Sequence, residues 1–256
     1  MGDRRIRARQ DGVRTMTSAA APPGSRIYAI GDIHGRLDLL LELHELIADD
    51  AARSTAKRRV LVYIGDYIDR GPDSAGVLDL LLDRPLPGFE IVHLLGNHED
   101  TLLQFPDDMT VGPSWLTYGG VQTLASYLID VPPGSWRDER ELRRLQGEVR
   151  RRVPRRHVEF MRGLPLTHVE GDYLFVHAGI RPGVPLERQE RDDLLWIRDE
   201  FLRSPEDHGK IVVHGHTISE APDQQPNRIG IDTGAFHTNR LTCVVLDRAG
   251  RTFLQT

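Results

Sequence analysis

The feature that most constrains this chain is a repeated break. Short apolar runs stop at a glycine or a polar residue and then offer Asp, Asn or His. The first is "IYAIGDIHGR" (residues 27–36); "VYIGDYIDRG", "HLLGNHED", "LFVHAG" and "IVVHGHT" follow. Apolar runs bounded by turn residues read as buried strands, and a sheet positions functional groups on the loops beyond its strand ends. In the first run, i and i+2 side chains of an extended segment point the same way. That alternation aims Asp32 and His34 at one point, as an oxygen and an imidazole nitrogen for a metal. Singly, each stretch also reads as a solvated turn or a satisfied core histidine. Five strand ends converging on the same chemistry are hard to attribute to turns.

Between the early runs lie helical patterns, such as "RLDLLLELHELIADD" and "DSAGVLDLLLD". "SWRDERELRRLQGEVRRRV" and "PRRHVEFMRGL" follow, with Ser135 expected as an N-cap and Pro154 in a first turn. The last third is strand-rich, with a single helix expected near "DDLLWIRDEFL". This order predicts an α/β fold of two sheets with helices outside. The 256 residues suffice for one large core, and no repeat or low-complexity linker divides them. The expected organisation is a tail over 1–25, disordered and without the apolar stretch of a secretory signal, then one domain over 26–256. Met16 is an alternative start. The formal net charge of −5 argues against a general nucleic-acid binder or an anionic-membrane binder. No apolar run approaches the roughly 20 residues that span a bilayer. One cysteine, Cys243 in "LTCVVLD", excludes an internal disulfide and suits a reducing, cytoplasmic setting.

Taken in order, "GDIHG", "GDYIDRG", "GNHE", "HAG" and "GHT" resemble the signature blocks of the calcineurin-like metallophosphoesterases. They are most similar to the phosphoprotein-phosphatase branch and its bacterial, phage lambda-type Ser/Thr phosphatases, as are "LLWIRDEF" and "IDTGA". The resemblance spans roughly residues 26–247 and is loosest over 105–165. It implies a four-layer αββα sandwich of two mixed sheets. It also implies two divalent metals, Mn by default, with Fe, Zn, Co or Ni also suited to the ligands. Asp32 and His34 would hold the first metal, Asp66 would bridge, and Asn97, His177 and His216 would hold the second. A hydroxide bridging the pair would attack phosphorus in line. His98 would be the general acid, oriented by Asp69, and Arg70 and Arg198 would grip phosphate. Arg198 reads otherwise as an exposed helix arginine. His214 is either a partner of the ligands or a plain strand residue, and Glu99 supports the "GNHE" turn.

The resemblance implies a phosphatase acting on phosphoserine and phosphothreonine in proteins, phosphotyrosine included, as a monomer. Ile218 stands where many diesterase relatives carry the second histidine of "GHxH", which favours monoesters. The alternative is a diadenosine polyphosphate hydrolase, against which the complete "DRG" with Asp69 is set. A non-catalytic phosphoprotein-binding homologue is a further alternative, with every expected position nonetheless filled. The arginines at 143–156 read as a solvated face, since Glu139, Glu141 and Glu148 are interleaved. The rim formed by 105–165, including "WLTYGG", is expected to set selectivity.

Overall fold

The computed structural model describes residues 19–256, and most of the predicted tail lies outside them. Residues 19–25, assigned to that tail, are instead attached. Ala21 is buried, the Ala20 N–H donates to the Asp172 carboxylate, and the Ala20 carbonyl accepts from the Asp172 N–H.

Two five-stranded sheets form the centre. The first contains β1 (Ser25–Ile30), β2 (Arg58–Tyr63), β3 (Glu90–His93), β9 (Thr242–Leu246) and β10 (Arg251–Gln255), in the order β10-β9-β1-β2-β3. The second contains β4 (Thr167–Glu170), β5 (Tyr173–Val176), β6 (Ile211–His214), β7 (Asp223–Gln224) and β8 (Arg228–Gly230), in the order β4-β5-β6-β8-β7. Both are mixed. β1-β2-β3 and β5-β6-β8 run parallel, while β9, β10, β4 and β7 pair antiparallel.

The period-2 alternation of each strand builds the layers. Ile27, Ala29, Val60, Val62 and Val244 meet Tyr173, Phe175, Ile211, Val213 and Ile229 between the sheets. The intervening Tyr28, Ile30, Leu61 and Tyr63 turn outward to a helical layer. That layer contains α1 (Leu37–Arg53), α2 (Ser74–Asp83), α3 (Asn97–Gln104), α4 (Gly112–Trp115), α5 (Val121–Ser126), α6 (Glu139–Arg152) and α7 (Arg155–Arg162). On the far face, Leu174, Val176 and Val212 pack on α8 (Arg191–Trp196) and α9 (Asp199–Leu202). A short α10 (Ala235–Thr238) precedes β9. The result is the four-layer αββα sandwich that the sequence implied.

Two expectations differ in detail. "DDLLWIRDEFL" is not one helix, because extended backbone at Ile197 separates α8 from α9. The N-cap of α6 is Asp138 rather than Ser135, its carboxylate accepting from the N–H of Arg140. Pro154 does stand at the start of α7, as its N-cap. Among the described residues, no helix is long and apolar enough to cross a membrane.

Candidate metal centre and cleft

Every site residue read from the sequence lies at or beyond the C-terminal end of a strand, except Arg198. Asp32 and His34 follow β1, Asp66 to Arg70 follow β2, and Asn97 and His98 open α3 after β3. His177 follows β5, and His214 ends β6, two residues before His216. The two parallel sets bring these ends together at one edge of the sandwich. The expected strand geometry at Asp32 and His34 is not what does it. β1 ends at Ile30, and His34 has a φ of 47°. Asp66 (51°), Asp69 (72°), Arg70 (67°) and His216 (63°) are also left-handed, a conformation that costs non-glycine residues about 1–2 kcal/mol each. Surrounding hydrogen bonds hold the turns. The backbone N–H groups of Ile33 and His34 donate to the Asp66 carbonyl, at 3.0 and 2.8 Å. Glu99 does more than support its own turn. Its buried carboxylate accepts from the backbone N–H groups of Asp66, Tyr67, Ile68 and Gly96.

Asp66 is the hub. Its Oδ2 lies 3.5 Å from His34 Nε2, and its Oδ1 lies 3.4 Å from His177 Nε2. Two groups of potential ligands share it, His34–Asp66–His98 and Asp66–His177–His216, with donor atoms within 4.8 Å of one another in each. The tautomers suit a cation. His34 Nδ1 lies 2.8 Å from the Ile68 carbonyl and His177 Nδ1 lies 3.0 Å from that of Ile64. A carbonyl only accepts, so each Nδ1 carries the proton and each Nε2 presents a lone pair to the site. His177 Nε2 then faces another acceptor, Asn97 Oδ1, at 2.7 Å. Asp32 Oδ1 and His216 Nε2 are buried with no hydrogen-bond partner. Buried acceptors without donors are costly, and converging ones fit a bound cation. The donor set of carboxylates, imidazoles and an amide oxygen therefore fits divalent metals.

Charge follows the same pattern. Burial pushes the imidazoles of His34, His177 and His216 down, His216 to about 2, so they stay neutral, the form in which an imidazole can bind a metal. Burial opposes the charge of Asp66, and His98, the one imidazole of the four whose protonated form is favoured, supports it. His98 is the exception among the imidazoles. Burial lowers it, yet Asp66 and then Asp69 outweigh burial and raise its pKa. Its Nδ1 lies 2.5 Å from Asp69 Oδ2, so only Nε2 faces the cleft.

Glycines allow close approach at two points. A Cβ on Gly96 would strike Asp66 Oδ1, and one on Gly215 would strike Asp32 Oδ1. In "GNHE" and "GHT" the glycine makes room for a carboxylate.

Sequence reasoning missed several participants. Asp69 accepts from Thr123 Oγ1 at 2.6 Å and from Trp115 Nε1 at 2.9 Å, and its backbone N–H donates to Ser74 Oγ. Thr123 and Trp115 both lie in the poorly matched 105–165 region: Trp115 opens the "WLTYGG" stretch expected at the rim, not beside Asp69, and Thr123 carried no signal. Asp232 had one, standing beyond β8 in "IDTGA". It is buried with Oδ2 unpartnered, and burial raises its carboxyl to about 6. The His214 side chain makes no hydrogen bond to the candidate ligands, and its Nε2 is buried without a partner. Its Nδ1 faces the Gly215 carbonyl and its ring packs edge-on against Phe201, as a strand residue would.

A cleft of about 760 Å³ opens over the centre, lined by Arg70, His98, Tyr118, Trp196, Arg198 and His216 among others. Arg70 reaches His34 Nε2 (2.8 Å) and His98 Nε2 (3.1 Å). Arg198 is off-helix, its guanidinium donating to the His216 carbonyl and Thr217 Oγ1. Among the described residues, the arginines at 143–156 form no free basic surface. Arg143, Arg144, Arg151, Arg152 and Arg155 pair with helix glutamates, and Arg150 and Arg156 pair with Asp107, Asp79 and Asp83.

The family model for calcineurin-like phosphoesterases matches residues 25–244. The chain belongs to that family. Its members are metal-dependent hydrolases with a dinuclear centre, and this chain supplies the candidate His and Asp ligands. Among curated relatives, the asymmetrical bis(5'-nucleosyl)-tetraphosphatase PrpE of Bacillus velezensis is 26% identical over 83% of this chain and 86% of its own. The symmetrical bis(5'-nucleosyl)-tetraphosphatase of Dechloromonas aromatica is 31% identical, but over 60% of this chain and 44% of its own. A solved structure ascribed to a diadenosine tetraphosphatase superposes with a TM-score of 0.59 at 20% identity, covering 93% of this chain and 98% of that one. The cold-active protein-tyrosine phosphatase of a psychrophilic Shewanella gives 0.52 at 18% identity, covering 92% and 83%, and shares the fold. The structures show the fold; the curated tetraphosphatases overturn the phosphoprotein-phosphatase assignment. A complete "DRG" block does not separate the two classes, because Asp69 only has to hold His98, and that contact says nothing about what the phosphate is attached to.

Proposed function

We propose that this chain hydrolyses bis(5'-nucleosyl) tetraphosphates, cutting a phosphoanhydride bond with water. The observation that carries the reading is the long match to an asymmetrical tetraphosphatase, over 83% of this chain and 86% of that one. The symmetrical relative matches a shorter stretch, which favours the asymmetrical cut, to a nucleoside triphosphate and a nucleoside monophosphate.

In this reading Asp32 and His34 hold one divalent cation, Asn97, His177 and His216 hold another, and Asp66 serves both. Manganese is the first metal to load. When bound, such a pair neutralises phosphoryl oxygens and acidifies water. The chain's own residues do the rest. Arg70 and Arg198 flank the cleft and orient the polyphosphate through their guanidinium forks. The N–H groups that Arg70 now directs at His34 and His98 find better acceptors in phosphate oxygens. Water adds to phosphorus and gives up a proton to solvent as the bridging P–O bond breaks. His98 Nε2 then gives its proton to the departing phosphate oxygen, with Asp69 fixing the ring through Nδ1.

The test uses protein stripped of metal and reloaded with Mn²⁺, given diadenosine tetraphosphate in one arm and phosphoserine, phosphothreonine and phosphotyrosine peptides in another. ATP plus AMP, formed at a much higher kcat/KM than any peptide turnover, is the expected result. Two ADP would reassign the cut as symmetrical, and faster peptide turnover would sink the proposal.

A further inference from the structure

A second concavity, of about 730 Å³, adjoins the cleft. Its lining includes Arg70, Tyr118, Val121, Trp136, Ile218 and Phe236, with no acidic residue and no candidate ligand. Arg70 and Tyr118 line both spaces. The cleft runs along the His98 and His216 side. The groove lies on the His34 side, since Phe236 packs edge-on to His34 at 5.6 Å and its face meets the Arg70 guanidinium at 4.8 Å. Arg70 is therefore a ridge between two pockets. Each pocket has an exposed aromatic or aliphatic side chain at its mouth: Trp196 (48% exposed) over the cleft, Ile218 (41%) at the groove, and Tyr118 (65%) between them. Exposed apolar groups gathered beside a charged centre mark a ligand surface.

Resting on the tetraphosphatase reading, we infer that the groove of Tyr118, Trp136, Ile218 and Phe236 seats the second nucleoside of the substrate, while the polyphosphate crosses Arg70 and the first nucleoside occupies the cleft. The lack of acidic side chains suits the neighbour of a tetra-anionic chain. Aromatic faces accept any base by stacking, so the groove selects for the presence of a second nucleoside rather than for its identity. This also gives a role to Ile218. In the "GHTI" turn it is an apolar wall of the groove.

The experiment measures KM for diadenosine tetraphosphate beside Ki for inorganic tripolyphosphate, a competitor with phosphates and no nucleoside. Trp136→Ala is expected to raise KM about tenfold, the scale of one lost base stack. Trp136→Phe should restore most of it. Ile218→Ser, at an exposed position that does not threaten folding, is expected to raise KM about threefold. Ki for tripolyphosphate should move less than about twofold throughout. An unchanged KM in both Trp136→Ala and Ile218→Ser would overturn the groove assignment, as would a parallel rise in Ki, which would mean damage to the phosphate site. If the wild-type enzyme does not turn over diadenosine tetraphosphate, the parent reading falls and this one with it. Turnover by the wild type with unaffected variants removes this inference alone.

Discussion

Asp66 concentrates the chemistry of the centre in one side chain. It holds a left-handed backbone, its two oxygens face imidazoles from different sheets, and its backbone is fixed by Glu99. Asp66→Asn should therefore cost both metals, with metal analysis finding less than one equivalent and activity down roughly a thousandfold, the order that a major electrostatic stabiliser contributes. Two full equivalents in that variant would dismiss Asp66 as a shared ligand. His98 should behave differently, because its Nδ1 is committed to Asp69. His98→Asn is expected to keep both metals. The loss on diadenosine tetraphosphate should be only about tenfold, since a departing phosphate needs little help, against roughly two to four decades on an alkyl phosphomonoester. Equal losses on the two substrates would argue against proton donation. At this scale the sequence was informative where strand ends carried Asp, Asn or His in fixed blocks. The left-handed turns that aim those side chains were not legible, because φ is set by contacts with distant backbone, such as Ile33 and His34 donating to Asp66.

At the scale of elements, helices with a clear apolar period and strands with unbroken apolar runs were legible, α1, α2, β1, β2 and β5 among them. β4 and β7 were not, since "THVE" and "DQ" are polar edge segments defined by their partners. Nor was the 105–135 stretch, where Gly119 at φ 123° lets the chain kink between α4 and α5. That kink delivers Trp115 and Thr123 to Asp69. The seam between α1, β2, β3 and α7 carries a separate consequence. His44 donates to or accepts from Tyr63 at 2.8 Å, Tyr63 stacks on His93, and Phe160 meets His93 edge-on. Burial pushes both imidazoles down to about 4. The unfolded chain, with its histidines near pH 6.5, thus takes up protons that the folded seam refuses. Stability is full above about pH 6.5 and is lost as pH falls toward 4. From pH 7 to 5 the two histidines together should cost about 2–4 kcal/mol, read from urea unfolding. His93→Phe should remove about half of that slope, and an unchanged slope would show that other groups carry it.

Among the described residues, the two sheets meet in chemistry as well as in packing at one edge. Between them the contact is apolar throughout the Ile27, Val62, Phe175 and Val213 layer. At the carboxyl edge it becomes a cluster in which Asp66 and His34 come from one sheet while His177 and His216 come from the other. Several acceptors there lack partners, Asp32 Oδ1 and His216 Nε2 among them. Three carboxylates close together oppose folding: burial, Asp232 and Asp66 together raise Asp32 well above its usual range. Cations that bind this edge bind only the folded chain, so they should stabilise it by mass action, about 2.7 kcal/mol at a hundredfold excess over Kd. For a chain of this size, that corresponds to a rise in Tm of roughly 5–10 °C. The measurement is thermal unfolding of EDTA-treated protein before and after Mn²⁺, with Mg²⁺ as a harder, more reluctantly dehydrated comparison. The expected order is Mn²⁺ well above Mg²⁺, and the apo form lowest. Asp66→Asn should respond to neither ion, because the residue joining the two ligand groups is gone. A Tm indifferent to Mn²⁺ in the wild type would mean that the converging acceptors are reconciled within the protein itself, and the edge between the sheets would then be a polar seam rather than a metal centre.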